Sequence, residues 1–225
     1  MKIYEPSSAL SPQSLSRYTR PMLYPDLETA EKEIEIAGTM NPGPWTAHSR
    51  NVGLACALIA ERIEGLDPEK ARILGLMHDI GRRVGRVQER HMVAGYQFCM
   101  ERGWSEQAKI CISHAFMIKD AQATLGKWDV SQEEYEFVVR WLGEIEYDDY
   151  DRLVQLCDSL AIHSGFCLLE KRFVDVSLRY GVNEHVVPRW KAIFDLKDYF
   201  EKRGDFSIYD ILPGIKENTF HGSAS

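Results

Sequence analysis

The stretch from residue 45 to 81 limits the fold more than any other feature of this chain. Val52, Ala55, Leu58, Ile59 and Ile63 recur at helical spacing, which predicts a helix over 45–64. GLDP at 65–68 then restarts the chain: Asp67 is a good N-cap residue and Pro68 suits the first helical position. The second helix carries Ala71, Leu74 and Met77 and is expected to end near Gly81. Two polar residues interrupt these apolar faces. His48 lies on the stripe of the first helix, and His78 with Asp79 lies at the end of the second.

The same periodicity continues through the rest of the chain. Helices are expected at 26–38, 89–102, 105–117, 131–145, 148–164, 166–180, 187–203 and 207–212, with a break at NPGPW, 41–45. Strand-like alternation is almost absent. The expected fold is therefore all-α, one domain over 1–225, with a core at 44–165, an N-terminal helical extension at 1–43 and C-terminal helices at 166–215. Frayed ends are expected at 1–10 and 217–225.

Composition narrows the function classes. A net charge of −7 argues against a partner with a phosphate backbone, which would call for a basic stripe. Cysteines 56, 99, 111, 157 and 167 form no CxxC pair and sit in apolar segments, as buried free thiols of a reducing cytoplasm do. MKIYEPSSAL has no apolar signal-peptide region, and the longest apolar run, near GLACALIA, is too short to span a bilayer. A cytoplasmic location without membrane contact is expected. No GxGxxG, P-loop or Ser-His-Asp order is present.

The polar residues on apolar segments carry the chemical signal. His91 follows in ERHMVAGYQF, His114 in ICISHAF and Asp158 in LVQLCDSLAI. A polar group in such a setting must find a partner or cost a few kcal/mol. Several on successive helices satisfy one another by sharing a metal. Imidazoles with carboxylates suit Mn, Fe, Co, Ni or Zn better than Ca or Mg. Adjacent His78 and Asp79 would project about 100° apart on a helix. Asp79, with two oxygens, is able to bridge two metals.

The order His48, His78-Asp79, His91, His114, Asp158 resembles the HD-domain superfamily of metal-dependent phosphohydrolases, over roughly residues 44–165. AHSRNVGLACALIAERIEGLDPEKARILGLMHDIGRR is the most specific part. The two middle histidines resemble the branch with two metals, which includes diadenosine-tetraphosphate hydrolases and HD-GYP cyclic-dinucleotide phosphodiesterases. The GYP part and a paired HH are missing, since Ala115 follows His114, so a cyclic dinucleotide is not the expected substrate.

The resemblance implies a divalent transition metal, two per chain, bound by these six residues. It also implies a small phosphorylated substrate such as a nucleotide, with Asp79 and Arg82 in the catalytic machinery. Arg82 stands where Lys is usual. Arg83, Lys119 and Trp45 are further candidates for substrate contact. The same ligand order occurs in mixed-valence di-iron oxygenases of the superfamily, and a ligand-sensing module with weak catalysis would keep the same fold. His163, His185 and His221 are expected in structural or solvent roles.

Overall fold

A computed structural model describes residues 22–220. Residues 1–21 and 221–225, with His221, the start of the N-terminal extension and the end of the frayed tail, lie outside the described residues. Eleven α-helices are found among the described residues: α1 Leu27–Met40, α2 Trp45–Ala60, α3 Pro68–Leu76, α4 Arg90–Met100, α5 Ser105–Ser113, α6 Gln132–Glu144, α7 Asp149–Leu160, α8 Leu169–Tyr180, α9 Val186–Gly204, α10 Ile208–Ile211 and α11 Ile215–Phe220. The fold is all-α, and its one sheet among the described residues is a two-residue hairpin, β1 Ala161–Ile162 against β2 Gly165–Phe166.

The caps explain where several helices begin. Asp26 accepts from the Thr29 amide at α1, and Asp67 accepts from the Glu69 and Lys70 amides at α3. Ser131 with Glu134 and Asp148 with Asp151 form reciprocal capping boxes at α6 and α7. α4 has no such local cap. The Asp129 carboxylate reaches it from the loop before α6 and accepts from the Gln88 and Arg90 amides at 2.7 and 2.8 Å.

Three expectations are corrected. The helix expected to run to Gly81 stops at Leu76, and His78-Asp79 occupies a tight turn that leads into a 3₁₀ turn, Ile80–Val84. The reason is local: the Gly75 carbonyl accepts both the His78 backbone amide and the His78 ring Nδ1–H, so it is not left for the amide of Asp79. The helix expected over 148–164 stops at Leu160, because the chain pairs with itself as the β1–β2 hairpin. The tail expected to fray from 217 is helical through Phe220. Its Thr219 hydroxyl accepts from the Leu168 amide at 3.0 Å.

One buried apolar cluster joins α2, α3 and α7 to α8 through α11, from Val52 and Ile59 to Phe200, Ile208 and Ile215. A second joins α1, α3, the 3₁₀ turn, α4 and α5 through Ile34, Ile73, Leu76, Ile80 and Cys99. Two glycine contacts set the spacing between the elements. Gly53 on α2 faces Gly75 on α3, where a Cβ on Gly75 would meet Cys56 Sγ at 2.7 Å and Gly53 Cα at 3.1 Å. Gly81 in the 3₁₀ turn lies against the α4 backbone, where an added Cβ would overlap the His91 carbonyl and the Gly95 amide.

The obstructing atoms at Gly81 are backbone and have no rotamer to move away. Gly81→Ala is therefore expected to destabilise the protein by about 2 kcal/mol or more, on the scale of overpacking. Gly143→Ala, whose Cβ meets nothing within 4 Å, is expected to stay within about 0.5 kcal/mol of the parent. Urea denaturation of the two variants would test this, and equal midpoints would contradict the close contact.

Candidate metal centre

Five segments deliver six side chains to one place. α2 brings His48, the turn after α3 brings His78 and Asp79, α4 brings His91, the C-terminus of α5 brings His114 and α7 brings Asp158. Asp79 Oδ1 lies 3.1 Å from His91 Nε2 and 3.8 Å from His114 Nε2, and Asp79 Oδ2 lies 3.7 Å from His78 Nε2. Asp158 Oδ1 lies 2.8 Å from His48 Nε2 and 3.7 Å from His78 Nε2. His91 Nε2 and His114 Nε2 are 3.4 Å apart. Two groups of ligand atoms result, His48/His78/Asp79 and Asp79/His91/His114, each within 4.8 Å of one another. Asp79 belongs to both.

The protons in this cluster decide what it is for. His78 Nδ1 donates to the Gly75 carbonyl at 2.7 Å, His114 Nδ1 donates to Ile110 at 3.1 Å, and His91 Nδ1 donates to Gln88. A neutral imidazole has one N–H, so each of these rings turns a bare Nε2 lone pair toward the carboxylates. His91 Nε2 and Asp79 Oδ1 thus face each other as two acceptors at 3.1 Å. No described residue donates a hydrogen bond to the buried Asp79 Oδ1. Lone pairs converging in a buried place are mutually repulsive, and a cation resolves the conflict. Nδ1–H donated to a backbone carbonyl is also how a metal-ligating histidine has its tautomer and ring orientation fixed. The cluster fits a metal.

The electrostatics agree. Burial alone would raise the Asp79 pKa, but the Arg82 guanidinium beside it holds it well below the ordinary carboxylate range. Asp158 is also held low: the hydrogen bond from His48, with the charge of Arg172, outweighs its burial. Burial pushes His78 down, and burial with the neighbouring His78 pushes His114 down to about 3. The site thus favours ionised Asp79 and Asp158 with neutral His78 and His114, the forms that bind metal.

The ligands are held from behind by side chains that sequence reading had not singled out. Gln155 donates to the carbonyls of Ser113 and Phe116 on either side of His114, at 2.8 and 3.4 Å. The Ser113 hydroxyl donates to the buried Asp151 at 2.7 Å, which joins α5 to α7. Asn51 donates to the Ile162 carbonyl at 2.7 Å, which ties α2 to the strand after Asp158. Asn41 donates to the carbonyls of Arg82 and Gly85 at 2.7 and 2.9 Å, which pins the 3₁₀ turn.

The cluster opens on a cavity of about 810 Å³. Arg82 lines it, with Nε donating to Asp79 Oδ2 at 2.5 Å. Trp45 also lines it, its indole N–H held on the Asn41 carbonyl at 2.8 Å. Arg83 and Lys119 are placed elsewhere. Arg83 bonds Glu33 at 3.1 Å and stacks on Phe98, while Lys119 donates to the Ile145 carbonyl at 2.5 Å near the surface. His163 is exposed at the hairpin turn and forms part of the cavity rim, and His185 is not part of the lining. Glu89, Arg172 and Arg189 line the cavity too. Glu89 stands just before α4, buried, with its carboxylate accepting from the Gly126 amide at 2.8 Å. Its place in QER between a 3₁₀ turn and a helix gives no periodic signal of burial.

An all-α scaffold with histidines and aspartates converging from successive helices defines a helical protein with residues that could hold a metal. The HD-domain family model matches residues 45–162, more than half of the chain, and the chain belongs to the HD-domain family. HD domains are found in metal-dependent phosphohydrolases, and some members are not catalysts. No match was found among curated proteins or solved structures.

The buried neutral imidazoles give the metal-free protein a defined pH response. The unfolded chain protonates histidine near pH 6.5, whereas folded His114 takes a proton only near pH about 3. Across that window the unfolded state holds more protons, so stability falls as pH falls. The depressed Asp79 and Asp158 add loss of the same sign below their ordinary value of 3.8. Thermal denaturation of chelator-treated protein is expected to show a midpoint that drops from pH 6.5 downward. A His114→Gln variant is expected to show a shallower drop, and identical slopes would exclude a buried neutral His114.

Proposed function

We propose that this protein is a metal-dependent phosphohydrolase acting on a nucleotide or another small phosphoester. The observation that carries the reading is Arg82 beside the carboxylate shared by the two ligand groups. Its Nε is engaged with Asp79 Oδ2, while neither Nη donates to a described residue and the side chain lines the cavity. A guanidinium so fixed offers two N–H groups to phosphoryl oxygens. The cavity volume, about 810 Å³, is that of a small-molecule site.

His48, His78, Asp79 and Asp158 would hold one metal ion, and Asp79, His91 and His114 a second. The mixed nitrogen and oxygen donors suit Mn, Fe, Co, Ni or Zn. Bound there, such ions supply Lewis acidity and acidify water for attack on phosphorus. Asp79 keeps the two ligand groups in register through its two oxygens. Arg82 orients the phosphoryl group and offsets the charge that its oxygens gain in the transition state. Trp45 forms part of the wall against which the rest of the substrate rests. Arg83 and Lys119, engaged elsewhere, have no part in this reading.

We propose further that the chain acts as one HD-type unit in a reducing, cytoplasmic setting. The cluster shared by α2 and α8–α11 supports the first point, and five buried free cysteines support the second. No helix among the described residues is long and apolar enough to cross a membrane.

Two measurements test the proposal. Elemental analysis at saturating Mn or Fe is expected to give two ions per chain, falling toward one in His91→Ala; one ion in the parent would contradict the paired centre. An anaerobic assay of a nucleotide panel with Mn, Co or Ni is expected to release phosphate or a nucleoside phosphate. Arg82→Ala is expected to lose about 2–4 kcal/mol of transition-state stabilisation, visible in kcat as well as KM. Arg82→Lys should recover only part, since an ammonium offers no fork. Turnover that requires dioxygen and iron, with no anaerobic hydrolysis, would replace the hydrolase by a di-iron oxygenase.

A further inference from the structure

α8 and α9 lie outside the residues matched by the HD-domain family model, yet they supply a wall of the cavity. Arg189, in the first turn of α9, points into that wall. Its Nη1 donates to the carbonyls of Ala115 and Ala123 at 3.1 and 2.6 Å, which fixes the plane of the guanidinium. Its Nε and Nη2 donate to no described residue. Arg172, on α8, lines the same cavity and makes no ion pair or side-chain hydrogen bond with any described residue. Of the neighbouring cations, Lys171 pairs with Asp175 at 2.7 Å, and Arg179 has its Nε on the Asp175 carbonyl at 3.3 Å.

Charge gives these unused donors a meaning. Around the cavity the carboxylates of Asp79, Glu89, Asp158 and Asp175 face the cations of Arg82, Lys171, Arg172, Arg179 and Arg189, so the lining carries one cation more than it has carboxylates. Each divalent ion in the proposed centre adds two positive charges to that balance, and a bound ion is often the largest charge in its site. A single phosphoryl dianion offsets one ion. The remaining positive charge and the free forks on the α8–α9 wall call for a second anionic group on the same ligand.

We propose that Arg172 and Arg189 form a second anion subsite, and that the substrate is a phosphoester whose leaving group itself carries a phosphate or carboxylate. The inference rests on the phosphohydrolase reading for the first anion, and on the α8–α9 wall for the second. A substrate with one phosphate and a neutral remainder would leave both arginines without a partner.

Non-hydrolysable probes separate binding from turnover. Alkane-α,ω-bisphosphonates of increasing length, ω-phosphonocarboxylates and alkylphosphonates of equal length would be titrated into the Mn-loaded protein by calorimetry. At one chain length the bisphosphonate is expected to bind roughly tenfold or more tighter than the alkylphosphonate, the scale of one charged hydrogen-bonded contact. Arg172→Gln, which removes no described side-chain hydrogen bond, is expected to abolish that preference and leave alkylphosphonate affinity within about twofold. Arg189→Lys keeps the charge, loses the fork and is expected to reduce the preference in part. A matching preference for the phosphonocarboxylate would assign the subsite to carboxylate as well as phosphate. No preference at any length, or equal weakening of both probes by Arg172→Gln, would overturn the subsite. Absence of phosphoester turnover with the preference intact would instead overturn the hydrolase reading alone.

Discussion

The carboxylate of Asp79 is the point on which this structure turns. It is buried, ionised and faced by the bare Nε2 atoms of His91, His114 and His78. Among the described residues only Arg82 brings it a full positive charge at hydrogen-bond distance, and that bond uses one of its two oxygens. The other oxygen has no donor among the described residues. A buried acceptor left in this state costs free energy that ordinary packing does not return. A cation would resolve the conflict, and two groups of potential ligand atoms share this one carboxylate.

The scaffold exists to hold these lone pairs in place. Three imidazoles are anchored through Nδ1 to carbonyls of their own chain segments, so each orientation depends on the local backbone. The segments are in turn spaced by glycine contacts, Gly53 with Gly75 and Gly81 with Gly95, where a methyl group would force backbones apart. Buried polar links do the rest. Asp151, Gln155 and Asn51 tie α5, α7 and α2 together near the ligands they carry. Such fully partnered links add specificity to a core whose bulk is apolar.

The family match covers the helices that carry the His/Asp cluster, and the C-terminal helices lie beyond it. α8 and α9 share the buried cluster of α2 and α7, and they wall the cavity with arginines while the HD segment supplies the His/Asp cluster. The His/Asp cluster thus lies in the matched segment, and the shape and charge of the cavity depend also on residues beyond it.

The helical fold class and the convergence of His48, His78, Asp79, His91, His114 and Asp158 were legible in the sequence. Periodic apolar positions, Pro and Gly breakers and capping residues act locally, and polar residues on apolar faces stand out because burial makes them costly. The break after Leu76 and the hairpin after Leu160 were not legible. The first depends on a ring nitrogen capturing a carbonyl, and the second on pairing between segments that carry no alternation. The sequence also could not divide the basic residues. Arg82, Arg172 and Arg189 face the cavity while Arg83 meets Glu33 and Lys119 meets Ile145, partners 50 and 26 residues away. A side chain of four or five rotatable bonds takes its direction from whatever the fold brings near it, and only the tertiary structure sets that neighbourhood.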